Sequence, residues 1–243
     1  ASLSDAELQS LIATDERAAE RVPESRPVSK LDGIAQAHVD ACLNATREAD
    51  PVALERTLSR ASVEYSVPEL FERVIIPFMH YVGEHWQDGS LRMSQEHMAT
   101  ATVRSFLGNL AASSSMIGKG PSLVVTTPRG QNHELGALMA AVLAASDGWN
   151  VAYLAPNMPA NEIAAFVLQR EARVVVLGLS YPADDPQLAD ELRVLRRHLP
   201  EDTSIVVGGA ACGGYSEALQ EIGADTVTNF EDLRTLLRRL RKA

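Results

Sequence analysis

Cysteine is nearly absent. Cys42 and Cys212 are the two in 243 residues, and neither has a Cys-x-x-Cys neighbour. That excludes a disulfide-stapled scaffold and a cysteine-rich zinc site, and suits a reducing compartment. Basic charge is in deficit: 22 Lys+Arg stand against 32 Asp+Glu, a formal net charge of −10. A bare phosphate backbone is therefore a poor partner. No apolar run approaches the roughly 18 residues of a membrane span, and no signal peptide is legible, so a cytoplasmic protein with no membrane contact is expected. A Gly-x-Gly-x-x-Gly fingerprint is missing after the first strand, since Gly130 and Gly136 do not fit its spacing, and this argues against a dinucleotide. What the chain has in quantity is apolar residues, 46% of the total, enough for a packed core.

The chain changes character along its length. Residues 1–29 are polar and contain Pro23 and Pro27; Ala6–Leu11 suits a short helix and the rest reads as linker. Residues 30–118 read as wholly helical. A first helix is expected from Leu31 to Glu48. Asp50 caps a second, with Pro51 at its first position. Ser66-Val-Pro-Glu69 forms a capping box for a third, whose stripe is Leu70, Phe71, Val74, Ile75, Phe78 and Val82. Ser94 is expected to cap a fourth, from Gln95 to Ser113. Short connections predict an antiparallel four-helix bundle.

Residues 119–243 switch period. Short Val-rich runs at 122–127, 150–154, 173–179, 204–207 and 226–227 alternate with helical patterns at 134–146, 160–170, 185–198, 216–222 and 231–240. This predicts a doubly wound, flavodoxin/Rossmann-like parallel sheet of five strands in the order 2-1-3-4-5. Ligands of such sheets bind beyond the strand carboxyl ends, between strands one and three. That rule selects the loops 128–136 and 179–182, and the glycine-rich 208–214. A response regulator would need an acidic cluster at the end of strand one, and Thr126-Thr-Pro-Arg129 has none. By position alone, His133 suits either a metal ligand or a helix-leading histidine bonded to its own backbone. Ser180 suits a hydroxyl donor or a plain turn residue, and Gly208-Gly209 a flat-ligand contact or a tight turn.

Taken together, the loops say more. His133-x-x-Gly136, Ser180 and Gly208-Gly209 are separated by 43 and then 27 intervening residues. This resembles the D/E-x-H-x-x-G … S-x-L/T … G-G signature of methionine-synthase-type cobalamin-binding modules. The resemblance implies base-off cobalamin with His133 as the lower cobalt ligand. It also implies a nucleotide tail running past Ser180 and Gly208-Gly209, with Gln131, Asn132 and Tyr181 nearby. Two positions depart from the pattern. Gln131 stands where an acid usually holds the histidine, and Pro182 ends the S-x-L/T element.

In the helical half, Trp86 is followed after nine residues by Glu96-His97. This resembles the W-x9-E-H motif of CarH-type cobalamin photoreceptors, the sensory part of MerR-like light-responsive regulators. It implies adenosylcobalamin covered by Trp86, with Glu96 beside the adenosyl group and His97 available to cobalt after light. On this resemblance the chain is a sensory homo-oligomer rather than an enzyme. The 29 residues before the bundle are too few for a winged helix, so no direct nucleic-acid contact is expected. Standalone photocobilins share the layout and add a bilin such as biliverdin. A corrinoid carrier of a methyltransferase system shares the fold and His133 but needs an open upper face. His38, His80, His85 and His198 read as surface or bundle residues, with His85 nearest the cofactor. The basic stretches 193–197 and 234–242 fall late in helices, where cations suit the helix dipole.

Overall fold

A computed structural model describes residues 33–115 and 120–242. The expected N-terminal polar segment, 1–29, lies outside the described residues. The helical half opens with α1 (Gly33–Arg47) and α2 (Pro51–Glu64). Asp50 caps α2 as its sequence predicts, its carboxylate accepting from Ala53 N at 2.9 Å. The third helix, α3, begins as Val67–Leu70, passes through a π-helical turn at Phe71–Ile75 and continues as Ile76–Gln87. The Glu69 carboxylate accepts from Ser66 N at 3.2 Å and from Ser66 Oγ at 2.7 Å, closing the expected capping box. The wide turn has a physical cause. Pro77 has no N–H and its ring crowds the preceding turn, so the helix loosens just before it. The apolar stripe survives this: Leu70, Phe71, Val74, Ile75, Phe78 and Val82 are all buried.

The fourth helix, α4 (Met93–Ser115), starts earlier than expected. Ser94 lies inside it. The residue before the helix is Arg92, whose carbonyl accepts from Gln95 N and Glu96 N. The Gln95 side chain reaches back to Arg92 N at 2.8 Å, so glutamine supplies the half of a capping box that faces backward and no hydroxyl is needed.

The sheet half runs β1 (Ser122–Thr126), α5 (Leu135–Ser146), β2 (Asn150–Tyr153), α6 (Ala160–Gln169), β3 (Val174–Gly178), α7 (Pro186–His198), β4 (Ser204–Gly208), a 3-10 turn at Ala210–Tyr215, α8 (Ser216–Glu221), β5 (Asp225–Val227) and α9 (Phe230–Lys242). All neighbouring strands are parallel and their order is β2-β1-β3-β4-β5, as the alternation predicts. Period-two patterning sorts the strand side chains to two faces. Leu123, Val125, Val174, Val176 and Val206 face α5, α9 and the bundle. Val124, Val175, Leu177, Ile205 and Val207 face α6, α7 and α8.

The bundle therefore shares one apolar core with the first of these faces. Phe71 of α3 meets Phe230 of α9 edge-to-face at 5.3 Å between centroids. At the far end of α5, the Asp147 carboxylate accepts from Arg234 Nε at 3.2 Å and Arg238 Nε at 3.0 Å. Arg234 and Arg238 fall before the last turn of α9, so their partner is this carboxylate and not the helix end; Arg239, Arg241 and Lys242 occupy the last turn. Burial raises the Asp147 carboxyl, but Arg238 and Arg234 outweigh it and hold the group below the usual carboxylate range. Burial pushes the two thiols up, Cys42 to about 12 and Cys212 to about 11, so both are unreactive near neutrality. Among the described residues no helix is long and apolar enough to cross a membrane.

A candidate cobalamin site between the bundle and the sheet edge

The loop after β1 leaves the sheet at its carboxyl edge and turns into α5. His133 lies there, exposed, with its ring edge-to-face to Tyr181 at 6.1 Å between centroids. No hydrogen bond to it is present among the described residues, so the self-bonded reading of this histidine does not hold. Partial enclosure of the ring holds the imidazole below its ordinary value, against an opposing pull from the Glu96 carboxylate. A neutral imidazole near pH 7 offers a nitrogen lone pair, which is the form a metal takes.

Glu96 lies on the first turn of α4, and its charge is felt at His133; Arg104, further along the same helix, bonds Glu134 beside His133 at 2.6 Å. Glu96 Oε1 accepts from Thr100 Oγ1 at 2.7 Å, and Oε2 is bonded to His97 Nδ1. His97 itself is exposed. Trp86 is half-buried in the last turn of α3. The link from α3 to α4 is tight: Leu91 N donates to His85 O at 2.8 Å. Trp86, Glu96 and His97 therefore sit at one end of the bundle. His85 is held at the same end, with Ser90 Oγ 3.0 Å from Nδ1 and Arg47 Nη2 3.4 Å from Nε2.

Gln131 is buried, and its carboxamide is spent on the loop after β3. Its Oε1 accepts from Ser180 N at 2.7 Å and Tyr181 N at 3.0 Å; its Nε2 donates to Pro182 O at 3.0 Å. An acid would leave the Pro182 carbonyl facing another acceptor, so an amide suits this position. Asn132 is exposed at the loop crest. Ser180 and Tyr181 are half-buried. The Ser180 hydroxyl carries no hydrogen bond among the described residues.

The glycines divide by role. A Cβ on Gly209, where φ is +122°, would fall 2.1 Å from Leu179 O, so the fold itself demands glycine there. A Cβ on Gly208 would press on Val227 Cγ2 at 3.2 Å. Gly136 differs: it is helical and exposed, and a Cβ there would meet nothing within 4 Å.

Sequence reasoning missed Glu134. It accepts from Arg104 Nε of α4 at 2.6 Å and from Tyr153 Oη of β2 at 2.5 Å. Burial and the neighbouring carboxylate hold the Tyr153 hydroxyl well above the usual phenol range, so it remains a donor. The signal was faint: a glutamate at a helix start reads as an ordinary partner for the helix dipole.

Comparisons with known proteins bear on both halves of the chain. Two family models, each described as a B12 binding domain, match residues 39–111 and 121–236. The HTH-type transcriptional repressor CarH of Myxococcus xanthus is 26% identical over 193 residues, 79% of this chain and 64% of the repressor. The repressor CarA of the same organism is 26% identical over 189 residues, 77% of this chain and 63% of that protein. The chain thus spans a little under two thirds of the length of these curated relatives. The monomethylamine corrinoid protein of Methanosarcina barkeri shares the fold, with a TM-score of 0.64 over 84% of this chain and 99% of that one at 17% identity. With a helical B12 binding domain followed by one built on the parallel sheet, this chain belongs to the proteins with B12 binding domains and is similar over most of its length to CarH.

Proposed function

We propose that the chain is the sensory part of a light-responsive regulator. In this reading adenosylcobalamin lies between bundle and sheet edge, with His133 beneath cobalt and Trp86 against the upper side. The observation that supports it is the bond from Arg104 of α4 to Glu134, the residue next to His133, at 2.6 Å, with the Glu96 charge on the same helix also felt at His133.

The residues fit such a cofactor. No three His, Cys, Asp or Glu side chains among the described residues converge to hold a metal ion. One exposed imidazole suits a metal whose other positions are filled by a macrocycle. Glycine in a helix costs about 1 kcal/mol relative to alanine, and nothing in the chain crowds position 136. Open space there suits the close approach of a flat group. The Ser180 hydroxyl is available to a nucleotide tail.

Bound in this way, the cofactor would supply a cobalt–carbon bond that light breaks. The chain's own part is to hold and report. Trp86 offers an apolar face that keeps water from the upper side. Glu96 offers an acceptor to ribose hydroxyls, and His97 is the candidate upper ligand after illumination. Contacts of this bundle end with an upper group of the cofactor would favour one seating of the bundle, and without them the other would be favoured. Moving a population from mostly one state to mostly the other takes about 5 kcal/mol of difference between the two. The output would be a change in homo-oligomeric state or in a partner contact.

Reconstitution with adenosylcobalamin in the dark, then green light, tests the reading. The absorption spectrum and the sedimentation coefficient should both change, and constancy of both overturns it. A red absorption band would add a bilin such as biliverdin. A corrinoid carrier needs an open upper face; methyl transfer with a partner methyltransferase and no response to light would put that role in place of the sensor.

A further inference from the structure

We propose that Glu134 is a positioning residue that ties the orientation of His133 to the seating of the bundle. The inference rests on the reading of His133 as cobalt ligand and deepens it. Glu134 occupies the residue before α5, yet its side chain makes no cap to that helix. It is directed away instead, to two elements that flank the loop. Arg104 Nε, from the middle of α4, donates to Oε1 at 2.6 Å, and Tyr153 Oη, from the last residue of β2, donates to Oε2 at 2.5 Å. Both bonds are short and charge-assisted, and the carboxylate is only 17% exposed, which strengthens them.

Glu134 and His133 share a peptide bond. A side chain fixed at both oxygens, on a residue whose carbonyl also accepts from Leu138 N in the first turn of α5, fixes the backbone that carries the imidazole. One fixing point belongs to the sheet and the other to the bundle. Movement of α4 over the sheet is therefore transmitted to the ligand loop through Arg104, and a change at cobalt is transmitted back along the same bond.

The test uses the full chain, with hydroxocobalamin as probe. Arg104→Met and Glu134→Gln should each weaken binding about three- to tenfold, the range expected for losing a partly buried charge-assisted bond. Arg104→Lys should recover most of the affinity. In the reduced cob(II)alamin form, the electron paramagnetic resonance signal of imidazole nitrogen on cobalt should weaken in Arg104→Met. Without any cofactor, amide exchange in the loop 129–134 should accelerate in that variant, although the substitution lies on the bundle. Wild-type affinity, nitrogen signal and loop exchange in Arg104→Met overturn the proposal. His133→Ala serves as the control. If it loses the corrin while Arg104→Met keeps it, only the coupling fails. If it too binds like wild type, the ligand assignment fails and takes the coupling with it.

Discussion

Gln131 and Ser180 are joined directly, Oε1 accepting from the Ser180 amide at 2.7 Å across the crevice between β1 and β3. The same carboxamide holds Tyr181 and Pro182, so one buried side chain fixes two of the three loops at the sheet edge. Gln131→Ala would leave two backbone donors and one carbonyl without these partners. It should destabilise the apoprotein by about 2–4 kcal/mol, measured by urea titration. Gln131→Glu should also destabilise at neutral pH, because a carboxylate has no donor for Pro182 O.

The glycines predict opposite outcomes for the same substitution. Gly209→Ala forces a Cβ onto Leu179 O in left-handed backbone and should cost about 3 kcal/mol or more, or prevent folding. Gly136→Ala meets nothing and improves helix propensity, so the apoprotein should gain about 0.5–1 kcal/mol. The same methyl group should lower the affinity for hydroxocobalamin if the macrocycle lies against α5. Melting curves and spectral titration of the two variants check both statements.

Periodicity and position explain why so much of this was legible. Alternating Val-rich runs with intervening helices leave one economical sheet order, and that order fixes which loops meet. His133, Ser180 and Gly209 are singled out because each lies in a loop that leaves the carboxyl end of a strand. Trp86 and Glu96-His97 are singled out by likeness to a family motif, and the short turn from α3 to α4 keeps them at one end of the bundle. The misses involve side chains that act at a distance in sequence. The bonds from Gln131 to Ser180 and Pro182 span 49 and 51 residues, and the Arg104–Glu134 pair crosses from bundle to sheet. No local pattern encodes such pairings. Ser94 was mistaken for a cap because hydroxyls lead the usual preferences, whereas Gln95 satisfies Arg92 N from inside the helix. The π turn before Pro77 escaped because the apolar stripe runs through it unbroken.

Acid should loosen the packing of α9 on α5. The Asp147 carboxyl sits below its usual range in the folded protein, so its contribution is fully present above the ordinary value of about 3.9 and is lost as pH falls through the folded value. Asp147→Asn removes the charge that Arg234 and Arg238 share and should cost about 1–3 kcal/mol near neutrality. Melting both proteins from pH 6 down to pH 3 checks the sign. Their difference should hold steady at the upper end and shrink once the pH drops below about 4. A gap that widened with acid would contradict the pairing.

His133 and Trp86 should separate two properties that a single affinity would merge. The imidazole is exposed and carries no hydrogen bond among the described residues, so His133→Ala should leave the melting temperature of the apoprotein close to wild type. The same variant should lose most corrin retention on gel filtration, because a direct ligand is gone. Trp86→Ala leaves that ligand intact. It should still take up hydroxocobalamin within a few-fold of wild type, since the indole stands on the opposite side of the proposed crevice. Its preference for adenosylcobalamin over hydroxocobalamin should fall, because the apolar surface that meets the adenosyl group has been removed. Spectral titration of both variants with both cobalamins gives the four numbers required. Equal losses for the two ligands in Trp86→Ala would mean that the indole only packs the bundle. In that case the upper side is open, as a carrier of methyl groups requires.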